Sequence, residues 1–317
     1  MKLNYKYRPL SAFWLLLIVL MSANETFGSD KAKTSTLNVV VSIKPLALMI
    51  EPLLADEAGS SASVQVLLPS HASPHSYAMK ISDRQKMQKA DLLVWVGEDL
   101  ERFLQKPISQ LPTGRSVAAS QVSGITWPHP EEEAAAIEAH GHKHEGLHDP
   151  HLWLNPKNAI AVISAVTRRL QQLDPESAAS YGSRAQKLIA EINEIDREIL
   201  RKSLNYQEMS FLVSHDGFSH FVERYNMNQV AAIRSSADSK PGARHLYQLK
   251  KKAKSESVAC VFVDAGGAAP WGNRLAKDLA IKAVELDILA GDKTVKTYPQ
   301  FMQNLLVSID ECFAKEQ

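Results

Sequence analysis

Short, near-continuous runs of β-branched and aliphatic residues alternate along the chain with longer stretches whose apolar positions recur every three or four residues. Leu37 to Ile43, Ser63 to Leu68 and Leu92 to Val96 are runs of the first kind, which suits strands buried on both faces of a parallel sheet. Between them Pro45 opens a helical stretch through Leu54, and Pro69 to Tyr77 (PSHASPHSY) reads as a loop from its proline and serine. Ser82 with Gln85 three residues on reads as a capping box for a helix reaching Ala90, and Asp99 is placed to cap the helix after the third strand. The βαβα order predicts a parallel sheet covered by helices, with ligands in the loops beyond the carboxyl ends of the strands.

Further on, Asn155 and Pro156 carry the cap and first-turn chemistry of a helix running to about Leu173, and Asp174-Pro175 repeats the signal. In the helix that follows, Tyr181, Ala185, Leu188, Ile192, Ile195 and Ile199 form one apolar stripe. At about 1.5 Å per residue such a helix spans roughly 40 Å. That is long enough to join two lobes as a rod, although the periodicity alone fits a surface helix on a single domain equally well. A second βα series then places strands at Met209 to Ser214, Asn228 to Ile233, Val258 to Asp264 and Ala283 to Leu286. The pattern predicts an α/β fold of two similar lobes, with boundaries at 29–173 and 205–317, joined by a helix over 174–204.

The N-terminus changes where this fold is expected to reside. A basic start (Lys2, Lys6, Arg8), an apolar run from Ala12 to Met21 and small residues near Gly28 have the layout of a signal peptide over residues 1–28. The apolar run is about half the roughly twenty residues that span a bilayer, and no cysteine follows it to carry a lipid. A mature chain released into an oxidising compartment, most simply a bacterial periplasm, is the expectation. Loss of those residues takes the formal net charge from +1 to −1, which offers no electrostatic case for binding nucleic acid. The chain's two cysteines, Cys260 and Cys312, suggest a bridge in that compartment.

Candidate chemistry is concentrated between His129 and His151, which holds six of the eleven histidines. Imidazole is the commonest biological metal ligand, so this density points to transition-metal binding. Three histidines stand where ordered structure meets a loop: His75, His151 and His215. With Asp287 just past the fourth strand of the second series, they fit a three-imidazole site with one oxygen ligand in the cleft between lobes. His220 and His245 fall in helical stretches and read as surface or capped residues. Three imidazoles and a water would also suit a secreted zinc hydrolase, which needs a general base beside the water; Asp216 or Glu145 could be proposed, but nothing places either there.

The chain resembles the periplasmic zinc-binding proteins of bacterial ABC importers, the ZnuA type. The resemblance is carried by VVSIKPL at 40–46, LLPSHASPHSY at 67–77, ADLLVWVGEDLERFL at 90–104, HLWLNP at 151–156, SHDGFSHF at 214–221, KPGARHLYQL at 240–249 and LDILAGD at 286–292. It implies a solute-binding protein, not an enzyme, that captures Zn2+ as cargo and delivers it to an inner-membrane ABC permease with its ATPase. An auxiliary periplasmic zinc chaperone is a further implied partner, and a monomer the implied state. Carried over residue by residue, the ligands are His75, His151 and His215. Some relatives have an acidic residue before the first histidine, where this chain has Pro74. That leaves Asp287 or a water as the fourth ligand. Relatives that bind manganese place carboxylates in the second lobe, so the nitrogen of His215 favours zinc. The histidine- and acid-rich insertion is typical of zinc members, with His129, His140, His142, His144 and His148 as accessory ligands, and the two late cysteines look like the family's disulfide. A zinc buffer or adhesin without a transport role is the remaining alternative.

Overall fold

The computed structural model describes residues 37–55, 63–70, 72–128, 149–235, 238–265 and 270–314. The signal-peptide reading of 1–28 and the accessory histidines from His129 to His148 lie outside the described residues. Two four-stranded parallel sheets form the frame. In the first, β1 (Asn38–Val41) lies between β2 (Ser63–Val66) and β3 (Leu92–Trp95), with β4 (Ser116–Ala118) beyond β3. The second repeats that arrangement: β5 (Ser210–Val213) lies between β6 (Asn228–Ala232) and β7 (Cys260–Asp264), with β8 (Lys282–Leu286) on the far side of β7.

The central strands have the composition their position demands. Val39, Val40, Val41 and Leu92 to Val94 are fully buried, as are Phe211 and Leu212. Each such side chain contributes about 1.5–3 kcal/mol of transfer free energy. Parallel pairing requires a crossover after every strand. In the first lobe α1 (Lys44–Leu54), α2 (Ile81–Lys89) and α3 (Arg102–Ser109) supply these, and in the second α6 (Ser219–Tyr225), α7 (Ala243–Ser255) and α8 (Pro270–Leu279). The helix α9 (Tyr298–Phe313) closes the chain's described part.

Between the sheets run α4 (Pro156–Leu173) and α5 (Ala178–Ser203). The Asn155 side chain accepts from Lys157 N–H at 2.9 Å, and Asp174 accepts from Ser177 N–H, as expected of the two caps. Every residue of the foreseen stripe on α5, from Tyr181 to Ile199, is buried. The helix packs against α1 and α4, which precede it in the chain, and against α9 at the far end of the second βα series, as a joining helix does. One polar residue sits on the stripe: buried Asp196 accepts from Arg224 Nε at 3.0 Å and from the Tyr225 hydroxyl at 3.1 Å, both on α6. Trp153 Nε1 donates to Ile288 O at 2.7 Å, and the Tyr298 hydroxyl donates to Trp153 O at 2.7 Å. Both sheets therefore lie within one compact unit, Thr36–Gln317.

Three local expectations are corrected. The α2 start is not capped by Ser82, because Asp83 accepts from Lys80 N–H at 2.9 Å and from the Tyr77 hydroxyl at 2.8 Å. Asp99 caps nothing either: α3 begins at Arg102, and the turn before it is held by buried Glu101, which accepts from Val96 N–H at 2.7 Å. The three-residue edge strand β4 was not foreseen, being too short and too plain (SVA) to stand out. The disulfide forms as expected, joining Cys260 on β7 to Cys312 on α9.

Candidate metal centre

The doubly wound topology brings the strand ends of both lobes to one cleft. His75 comes from the loop between β2 and α2, His215 follows β5 by two residues, and His151 immediately precedes the tight turn Leu152–Leu154 that leads into α4. These three are brought together: each offers a ring nitrogen, and the three nitrogens lie within 4.8 Å of one another. Ring centroids are 5.3 Å apart for His75 and His151, 5.4 Å for His151 and His215, and 6.4 Å for His75 and His215. His151 and His215 are buried and His75 is half-buried.

Two of the rings are oriented by carboxylates. Asp149 Oδ1 lies 2.6 Å from His151 Nδ1, and Asp264 Oδ1 lies 2.7 Å from His215 Nδ1. A carboxylate is an acceptor, so each Nδ1 carries the proton and leaves Nε2 free for a metal, the usual carboxylate–imidazole arrangement of zinc sites. Burial works against the charged Asp149 carboxyl, but the His151 ring and N–H bonds hold it below the ordinary range. Asp264 is likewise held low against its burial by His215, Ser214 and Arg234, whose guanidinium donates to Oδ2 at 2.6 Å. The His75 Nε2 atom is buried and has no hydrogen-bond partner. Burial first, and then the neighbouring His151 and His215 rings, lower the pKa of His75 to about 4, so at neutral pH it is a neutral ligand in waiting.

A tetrahedral zinc with Zn–N of about 2.0–2.1 Å places ligand nitrogens about 3.3 Å apart. Nitrogens within 4.8 Å of one another are near enough for an inward movement of the rings to complete such a site. The backbone leaves room for this only because residue 217 is glycine: a Cβ there would stand 2.6 Å from His215 Nε2 and 2.7 Å from His151 Cε1.

Asp287 lies just past β8 and lines the same cavity of about 470 Å³. It is not brought into the histidine cluster: Oδ1 accepts from Gly291 N–H at 2.9 Å and Oδ2 from Asp292 N–H at 3.0 Å, so its carboxylate holds its own loop. His220 is corrected from a surface to a buried position, 1% exposed, with Nε2 2.9 Å from Asp149 O. Asp149, Asp264, Arg234 and Gly217 were missed as site residues. The pattern SHDG and the pair DPH carry the signal for Gly217 and Asp149, while Asp264 and Arg234 have none short of the fold.

A family model described as zinc-uptake complex component A, periplasmic (ZnuA), matches residues 39–312. The chain belongs to this family. It is 27% identical over 309 residues to the high-affinity zinc uptake system protein ZnuA of Yersinia pestis, an alignment covering 92% of this chain and 95% of that one. Identity is 28% over 311 residues with the ZnuA of Brucella suis, at 87% and 92% coverage. In fold, the periplasmic zinc binding protein TroA from Treponema pallidum superposes with a TM-score of 0.74 at 21% identity, covering 87% of this chain and 99% of that one. As a member of the ZnuA family the chain is a periplasmic zinc-binding solute-binding protein, the substrate-binding component of a zinc ABC importer, and not an enzyme. Such a component implies a permease and an ATPase. The hydrolase and buffer readings are not favoured. Among the described residues, no helix is long and apolar enough to cross a membrane.

Proposed function

We propose that His75, His151 and His215 together hold a single Zn2+ ion as cargo, with a water in the fourth position, and surrender it to the permease. The supporting observation is the convergence of three imidazoles of which two have Nδ1 committed to carboxylates and the third has a buried, partnerless Nε2. Water is preferred to Asp287 because the cluster of converging ligand atoms holds the three histidines without Asp287, whose oxygens accept the N–H groups of Gly291 and Asp292 in its own loop. An all-nitrogen protein donor set suits zinc over a harder ion such as manganese. If Asp287 were the ligand, Asp287→Ala would lose zinc affinity at least tenfold; with water in place it costs less than about threefold.

We further propose that residues 1–28 are a cleaved signal peptide, leaving a mature chain without a lipid anchor. Its lobes are 29–173 and 205–317, joined by 174–204, and it acts as a monomer. The tract from His129 to His148 is an accessory collector that passes zinc to the cleft, and an auxiliary zinc chaperone is a further partner. Growth of a zinc-importer-deficient bacterium in chelated medium tests the transport role. The intact chain, expressed with its cognate permease and ATPase, should restore growth where the triple His75→Ala, His151→Ala, His215→Ala variant fails. Equal rescue by both would refute the role of the cleft.

A further inference from the structure

Asp149 is held from three sides, and only one of them is the metal ligand. Its Oδ1 accepts from the His151 backbone N–H at 2.9 Å and from His151 Nδ1 at 2.6 Å. Its Oδ2 accepts from Ser219 N–H at 3.0 Å, and its backbone oxygen lies 2.9 Å from His220 Nε2. Ser219 and His220 open α6 and so belong to the second lobe, whereas Asp149 and His151 lead into the first-lobe side of the molecule. A carbonyl oxygen can only accept, so His220 carries its proton on Nε2 and uses Nδ1 as an acceptor. The available donor there is Asn158 Nδ2, 3.3 Å away on α4. Asn158 is in turn fixed by Thr126, whose N–H donates to Asn158 Oδ1 at 2.8 Å while Asn158 Nδ2 also lies 3.0 Å from Thr126 O. The Trp127 ring packs at 5.7 Å from the His220 ring. The result is a buried run of polar contacts, Thr126 to Asn158 to His220 to Asp149 to His151, that starts in the first lobe, crosses into the second and returns to end on a metal ligand.

We propose that His220 is a positioning residue for zinc capture, acting through Asp149: it pins the Asp149 backbone to the second lobe, and the pinned carboxylate in turn aims His151 at the metal. His151 is then correctly presented only while α6 and the segment at 149 are in register. A displacement of the second lobe large enough to part them leaves Asp149 unpinned and His151 free to turn, which loosens zinc without any lid having to open. His220 touches neither zinc nor the other ligands; its effect reaches the metal only through the orientation of one imidazole. A merely structural buried histidine would cost stability without changing how fast zinc leaves.

The inference rests on the three-histidine reading above, and the experiment separates the two. Zinc dissociation from the full mature chain is followed by stopped flow against excess chelator, and association by mixing with free Zn2+, for wild type, His220→Phe, His220→Gln and His75→Ala. Outer partners of zinc ligands are typically worth about 10–100-fold in affinity. His220→Phe keeps a ring in the pocket but deletes both polar contacts, and should release zinc about 10–100-fold faster with association changed less than about threefold. His220→Gln keeps the donor for Asp149 O, its amide N–H standing in for the imidazole Nε2–H, and should stay within about threefold of wild type. If His220→Phe releases zinc at the wild-type rate while His75→Ala has lost the tight site, the coupling is overturned and the three-histidine site stands. Should His75→Ala keep the tight site, the site itself is wrong. A folded His220→Gln that loosens as much as His220→Phe also overturns the coupling, since its hydrogen bonds would then be irrelevant. Should His220→Phe fail to fold, ¹⁵N NMR of zinc-free wild type decides: a His151 ring wholly in the Nδ1–H form supports the aiming by Asp149, and an Nε2–H form or a mixture refutes it.

Discussion

Replacing Gly217 by alanine should separate zinc binding from folding. The added Cβ would lie 2.6 Å from His215 Nε2, 2.7 Å from His151 Cε1 and 3.0 Å from His151 Nδ1. Ordinary carbon contacts begin near 3.4 Å, so the two rings must retreat by about 0.8 and 0.7 Å. Metal–ligand distances in working sites hold to about 0.2 Å, and a retreat several times larger removes at least one nitrogen from coordination. We expect zinc affinity to fall about a hundredfold, which is roughly 2.7 kcal/mol. Folding should suffer far less than zinc binding. Gly217 does not have the positive φ that would make alanine strained, and the roughly 0.4–1 kcal/mol that a glycine-to-alanine change adds through the unfolded chain offsets part of the cost of moving two buried, carboxylate-held rings. Chelator-competition titration reads the affinity, and thermal unfolding with and without zinc reads the rest. At a free zinc concentration of about a thousand times the wild-type Kd, binding stabilises the wild type by about 4 kcal/mol and the variant by only about 1.4 kcal/mol. A variant that binds zinc as tightly as wild type would show that the rings do not close in front of residue 217.

Burial pushes the Glu101 carboxyl up to about 7 despite the N–H groups of Val96 and Gly97. A raised folded-state pKa means its stabilising share is complete below about pH 4.5 and lost as pH rises through 7, in all about 3 kcal/mol. Urea midpoints at pH 5 and pH 8 should therefore fall for the wild type but not for Glu101→Gln, and parallel behaviour would disprove the burial argument. Deleting residues 130–147 should lower the zinc stoichiometry measured by calorimetry while leaving the tight site unchanged; loss of the tight site would remove the distinction between cleft and tract. Serine at both Cys260 and Cys312 opens a bridge across 52 residues and should cost about 4 kcal/mol in the chain-entropy treatment, read as a lower denaturant midpoint with zinc affinity retained.

What the chain disclosed in advance, and what it withheld, follow from sequence separation. The stripe from Tyr181 to Ile199 is a local periodicity, and every member is buried where the periodicity places it. His75, His151 and His215 were legible because each stands at a strand end or helix entrance, positions that local patterns mark. The partners that aim them were not. Asp264 meets His215 across 49 residues and His220 meets Asp149 across 71, and no period or spacing announces such pairs. His220 was misread for the same reason: a histidine on a helix looks exposed until the opposite lobe covers it. Asp287 is the converse case. Its place past β8 is right for a ligand, but Gly291 and Asp292 offer N–H groups nearer than the cleft does. The caps at Ser82 and Asp99 failed because buried Asp83 and Glu101 each had unmet acceptor capacity and captured the turn instead.

The central claim is that three histidines from both lobes form one tight zinc site. Zinc titration of wild type beside His75→Ala, His151→Ala and His215→Ala tests it most directly. Each single variant should lose the tight site while keeping its fold by circular dichroism. Retention of wild-type affinity in any one of the three would contradict the claim.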